Sequence, residues 1–213
     1  MSLLRPSPVR RPARLAGLLA AALLTSLPAM AAGDDPDWPC IQRLVPRISP
    51  AQVWTGPEPK PEMWAGNLDI SRLASKIAVR RTPISEAEKL VERFAEKQTE
   101  ALGTQGANRA LTGLFGRSLD IINANRASLI AGIKRFARRQ AELAARIRDN
   151  RAKLQDGGDA EISDGVTLDD ALTWDLRIFD EREKSLTYLC EQPVLLEKRA
   201  FALGRTIGYY LED

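Results

Sequence analysis

From Asn108 to Leu154 the chain carries apolar side chains in two interleaved series, each stepping by seven. Phe115, Ile122, Leu129, Phe136 and Leu143 form one series; Leu119, Ile133, Ile147 and Leu154 form the other, interrupted by Arg126 and Gln140. A heptad pair sustained over about six repeats predicts the seam of a coiled coil. At 1.5 Å per residue the helix would be roughly 70 Å long. A second stretch, 168–211, repeats the pattern: Leu168, Leu189, Leu196 and Leu203 in one series, and Leu172, Phe179, Leu186, Ala200 and Ile207 in the other. Pro193 falls inside it. Because the heptad phase continues across the proline, a kinked helix is expected and not a broken one.

Between the two lies Gln155–Val166, whose Gly157, Gly158 and Gly165 predict a hairpin loop, and Thr167-Leu168-Asp169-Asp170 is a capping-box-like start for the final helix. If Leu154 faces Leu168, the register places Leu143 opposite Phe179 and Gln140 opposite Arg182. Two shorter helices precede the hairpin. One covers about Asp69 to Val79, with Ile70, Leu73, Ala74 and Ile77 on one face. The other runs from Pro83 to about Ala101, with Ala87, Leu90, Val91, Phe94 and Ala95 as its stripe. A glycine-bearing turn, Gly103 to Ala107, should send the next helix back antiparallel. The extra apolar residues Leu111, Leu114 and Ile121 give the first half of the long helix a broad face on which the short helices can pack. Beyond Leu129 that surplus ends.

Proline is dense between Asp34 and Gly66, and Trp38, Trp54 and Trp64 are spaced among the prolines. Such a segment is not a long helix. It reads as an extended strap laid on the bundle, with one short turn capped at Ser49-Pro50-Ala51-Gln52; a proline-rich ligand for a partner's aromatic groove is the alternative. The fold class is therefore all-α: a long antiparallel two-helix coiled-coil hairpin (108–154 and 168–211), two shorter helices at its base, and a Pro-rich N-terminal strap. The organisation is residues 1–31 as a signal peptide, 32–66 as the strap and 67–213 as the helical bundle.

The signal peptide rests on Arg5, Arg10, Arg11 and Arg14, the apolar run Leu15 to Leu27, and Ala29-Met30-Ala31 as a small-x-small cleavage site. The run is too short to span a bilayer, so no membrane span is expected and the product should be periplasmic or secreted. Its removal changes the charge argument. The full chain has 31 basic and 28 acidic residues; residues 1–32 hold four arginines and no acid, so the balance falls from +3 to −1. A nucleic-acid partner loses its electrostatic basis.

Cys40 and Cys190 are the only cysteines. In an oxidising compartment an even number predicts a disulfide, which would tie the strap to the last helix. The block Asp37-Trp38-Pro39-Cys40-Ile41-Gln42-Arg43 resembles the start of the mature region in small exported bacterial helical proteins of unknown role. That resemblance implies export and carries no mechanism.

There is no histidine, which removes imidazole bases, imidazole metal ligands and histidine haem ligation. An enzyme would work with carboxylates alone, such as Glu86 with Glu88 or Glu181 with Glu183, and these read equally as solvated helix faces. No cofactor and no catalytic residue is assigned. Asp159, Glu161, Ser163 and Asp170 have the spacing of a calcium loop, but the required glycine comes one residue late, at Gly165. A solvated loop with N-capping acids explains the same residues, and no metal is assigned. The distal half of the long helix is basic, from Lys134 to Lys153, and the last helix answers with Asp169, Asp170, Asp175, Asp180, Glu181 and Glu183, as complementary flanks of one hairpin would.

Trp174 and Ile178, with Ala171, form an apolar stripe off the seam near the tip. They are either a docking patch or a seat for the strap. The expected function is protein–protein interaction as a scaffold or adaptor with another envelope protein; a periplasmic chaperone or polyanion binder using the charged tip is the alternative, and a carboxylate enzyme comes third.

Overall fold

In the computed structural model, residues 35–157, 161–163 and 165–212 are described; the expected signal peptide lies outside them. The elements in order are α1 (Pro50–Val53), a 3-10 turn (Pro61–Met63), α2 (Leu68–Ala78), α3 (Ile84–Gln155), β1 (Glu161–Ser163), β2 (Val166–Thr167) and α4 (Leu168–Gly208). The fold is an all-α hairpin. α3 and α4 pack together along their lengths, α2 packs on α3, and no helix among the described residues is long and apolar enough to cross a membrane.

α3 is two helices joined at one residue. Gly103, at φ 68° and ψ 176°, is the non-helical position inside it, and glycine takes that backbone without a Cβ penalty. The expected turn of five residues is thus a single residue, with helix resuming at 104. The chain nevertheless reverses there. Arg80, just before α3, bonds Gln192 of α4, while Ala95, Glu96 and Thr99 lie beside Tyr209 and Tyr210. Asn108, past the glycine, bonds the Glu212 carbonyl, and Arg126 reaches back to Pro193. Segment 84–102 therefore runs parallel to α4, and segment 104–155 antiparallel to it. α2 crosses back along 84–102, with Asp69 paired to Lys97 and Lys76 to Glu86.

The core sits at the hairpin's base. Phe115, Leu111, Leu114 and Ile122 of α3 meet Leu196, Leu203 and Ile207 of α4, and Ile70, Ile77, Val91 and Ile48 close it from the sides. The residues expected on the seam are buried or half-buried throughout. A second, smaller cluster lies toward the tip, where Leu143, Ile147 and Leu172 are buried and Leu154, Leu176 and Phe179 pack against them. Leu143 and Phe179, expected to face each other, belong to this one cluster. Gln140, expected opposite Arg182, donates to the Phe179 carbonyl at 2.9 Å. The amide nitrogen thus finds a backbone acceptor, while Oε1 is buried without a hydrogen-bond partner among the described residues.

α4 runs through Pro193 as one helix. At its start Thr167 and Asp170 form the expected capping box. The connection before it holds a short antiparallel pair, β1 with β2, which the sequence pattern did not predict. Gly165 at φ 82° makes the reversal, and Val166 and Thr167 are β-branched residues suited to the pairing.

The strap lies along the hairpin from its middle to its base. Asp35 and Asp37 pair with Lys134 and Arg138, Ile48 exchanges two hydrogen bonds with Asn123, and Trp54 stacks on Phe115 at 4.2 Å between ring centroids. Gly204 permits the closest approach: a Cβ there would overlap the Val53 carbonyl. The Sγ atoms of Cys40 and Cys190 stand 2.05 Å apart, at disulfide bonding distance.

Candidate functional site

Trp174 and Ile178 are one helical turn apart on α4 and remain open, 60% and 38% exposed. All three strap tryptophans are engaged elsewhere. The Trp38 indole donates to the Gln42 carbonyl, Trp54 donates to the Pro57 carbonyl while stacked on Phe115, and Trp64 lies against Gly116. Of the two roles open to the stripe, a seat for the strap is removed for residues 35–66.

The reason lies in which flanks of the hairpin are covered. Ala171, Ile178, Ser185, Gln192 and Arg199 recur every seven residues along α4 and so share one flank. In the base this flank is covered by the end of α2 and by the short connection from α2 to α3. Arg199 donates to the Ile77 carbonyl at 2.7 Å, and Gln192 accepts from Arg80. Beyond the end of α2 the flank is uncovered: Ser185 and Ile178 are exposed and Ala171 is half-buried. On α3 the matching column passes from Leu114 and Ile121 in the base to Ser128, Arg135, Glu142 and Asp149 distally. Arg135, Glu142 and Asp149 are exposed.

Charge around the patch is ordered at one point. Arg146 grips Asp175 with two parallel bonds, Nε to Oδ2 at 2.7 Å and Nη2 to Oδ1 at 2.6 Å, the bidentate fork that fixes planar geometry. The Asp175 hydrogen bond raises the Arg146 pKa. Arg177 places its guanidinium 5.9 Å from the Trp174 ring centroid, within cation–π range.

The expected complementarity of the two flanks is narrower than the sequence suggests. Arg146–Asp175 is the one ion pair across the distal hairpin among the described residues; Lys134 and Arg138 turn instead to the strap acids, and Glu181 pairs with Lys184 on its own helix. Arg135, Arg139, Arg148, Arg151 and Lys153 have no ion-pair partner among the described residues. Pattern-reading missed this because heptad columns say which flank a charge occupies and not which neighbour it reaches.

Of the acidic loop, Asp159 and Asp164 lie outside the described residues, as do the side chains of Glu161 and Ser163. Asp170 is occupied as a cap, accepting from the Thr167 hydroxyl at 2.9 Å. Of the paired acids, Glu86 is bound to Lys76 and Glu181 to Lys184.

The feature that sequence reasoning left unassigned is Arg126. It is 3% exposed, and it donates from Nη1 to the Pro193 carbonyl and from Nη2 to the Val45 carbonyl, each at 2.6 Å. Burial pushes its pKa below the ordinary arginine value, and the charge of Glu197 works against that. The signal was in the sequence, as a cation on a seam position, but its partners come from the strap and from the proline turn. A cleft of about 40 Å³ lies beside it, lined by Trp38, Val45, Cys190 and Pro193 among others. It is large enough for about one water and no organic ligand. Arg126 is thus a joint between strap, α3 and α4.

No known protein family, curated protein or solved structure matches this chain. Its surface is the remaining source for a functional reading.

Proposed function

We propose that this chain is an exported protein of the cell envelope that works by protein–protein interaction, as a scaffold or adaptor, through the uncovered flank of its distal hairpin. Export is supported by the N-terminal sequence pattern and by a cysteine pair at bonding distance, since such bonds persist in oxidising compartments. The observation that carries the docking surface is the exposure of Trp174 beside Ile178 on a flank that the chain covers elsewhere with its own helices. A tryptophan next to a branched aliphatic residue is an anchor type that dominates interface energetics, at about 2 kcal/mol or more for one residue. The hairpin seam supplies a stiff support for it, with the heptad pattern of a coiled coil.

The test is the pair Trp174→Ala and Ile178→Ala, assayed for partner capture after crosslinking in intact cells. Docking requires capture to fall tenfold or more at an unchanged melting temperature. Capture at wild-type strength would remove the tip as the binding surface.

A second reading, binding of polyanions or of client chains as an envelope chaperone, is favoured by the exposed cations Arg135, Arg139, Arg148, Arg151 and Lys153. Salt separates the two. Polyanion binding is lost steeply between low and moderate ionic strength, whereas docking anchored on Trp174 and Ile178 keeps its apolar part at high salt.

A further inference from the structure

We infer that the occupant of the Trp174–Ile178 flank is an amphipathic helix with acidic borders, lying where α2 would lie if the base continued outward. The inference rests on the docking reading above and names the chemistry of its partner.

Two relationships point there. The first is shape. In the base, the column that continues Ala171, Ile178 and Ser185 is covered by the C-terminal end of a helix, α2, and by the connection leading out of it, through Arg199 and Gln192. Heptad repetition carries the same flank geometry outward, so a helix is the element that fits the vacated position. The helical anchors Trp174 and Ile178 stand where such a helix would bury its apolar stripe.

The second is charge. In the base, α2 shares one apolar core cluster with Leu111, Leu114 and Ile121 of α3. Distally the unpaired charge of the border is mainly cationic: Arg135 and Arg139 on α3 and Arg177 and Arg182 on α4, against Glu142 and Asp149 on α3, while Glu181, one heptad beyond Trp174, is paired with Lys184. Arg146 is already neutralised by Asp175. None of the four arginines has an ion-pair partner among the described residues. A helix with glutamates or aspartates beside its apolar stripe would meet opposite charge on both rims, and a basic one would meet repulsion.

The experiment uses the full chain, with two fluorescently labelled synthetic helices as probes. Both carry the same leucine and phenylalanine stripe; one is bordered by glutamates and the other by lysines. Anisotropy titration should show the glutamate helix binding at least tenfold more tightly. Its affinity should fall about tenfold in Trp174→Ala/Ile178→Ala and again in Arg135→Glu/Arg139→Glu, and stay unchanged in Phe201→Ala, an exposed apolar residue at the base. Equal binding of the two helices, preference for the lysine helix, or no binding of either overturns the inference. So does glutamate-helix binding that ignores the Trp174/Ile178 change, because that is adsorption to cationic surface. If the peptides fail while cellular capture is still lost in Trp174→Ala/Ile178→Ala, the docking surface stands and only the acidic-helix occupant falls. If capture is also unaffected, both fall.

Discussion

The Arg126 guanidinium donates to the Pro193 carbonyl oxygen at 2.6 Å, so the cation that interrupts one seam meets the proline that interrupts the other. Each is a defect within its own helix. Proline removes a backbone donor from α4, and arginine puts a charge on a position that wants an apolar side chain. Placed opposite each other they form one polar joint, and the same arginine extends it to the strap through Val45.

Arg126→Met tests that joint. The aliphatic side chain fills the volume but leaves two carbonyls without their charged donor. Hydrogen bonds to charged groups contribute about 1.5–3 kcal/mol each, so a loss of roughly 2–4 kcal/mol is expected in chemical denaturation. Hydrogen exchange should rise in the strap around Val45. An unchanged midpoint would mean that the arginine offsets only its own desolvation.

Gly204→Ala should loosen the strap from the opposite side. The added methyl overlaps the Val53 carbonyl, which is backbone and has little freedom to move. Overpacking of this kind costs about 1–3 kcal/mol, and the melting temperature should fall accordingly. Alanine has the higher intrinsic helix propensity, so a stabilised variant would show that Val53 does not hold this position in solution.

Reduction of the Cys40–Cys190 pair releases a loop closed across 150 residues. Chain-entropy reasoning gives about 5 kcal/mol at most for such a loop. Treatment with a phosphine reductant should lower the melting temperature while leaving the far-ultraviolet helix signal at 25 °C nearly intact, because the core at the base does not depend on the bond. Two freely alkylated thiols before reduction would contradict the pairing.

Acid should detach the start of the strap before it unfolds the bundle. The Lys134 ammonium, by its hydrogen bond to Asp35, holds that carboxyl below its ordinary value of 3.8, with burial opposing. A depressed carboxylate contributes its stability above the unfolded pKa and loses it as pH falls through the folded one. Protection of amides near Asp35 should therefore fall below about pH 4, and Lys134→Ala should lower that protection already at neutral pH and flatten its acid onset. An onset unchanged by that substitution would assign the strap's acid sensitivity to another group.

Periodicity alone determined most of the architecture. Heptad spacing specified two long helices and their facing seams, because burial along a helix pair depends only on which residues return to one side. Proline density marked the strap, and two cysteines in a chain with an export pattern left one pairing. Composition also excluded imidazole chemistry outright.

Tertiary structure decided what periodicity does not contain. The Gly103 reversal takes one residue and not five, since the left-handed backbone at a glycine is sufficient by itself. Gln140 bonds the Phe179 backbone, a choice among neighbours that spacing does not distinguish. The fate of Trp174 and Ile178 was open in the sequence because a strap of extended chain can reach many places. Its path along the base is decided by contacts far apart in the chain, Asn123 with Ile48, Phe115 with Trp54 and Gly204 with Val53, which leave the distal flank uncovered.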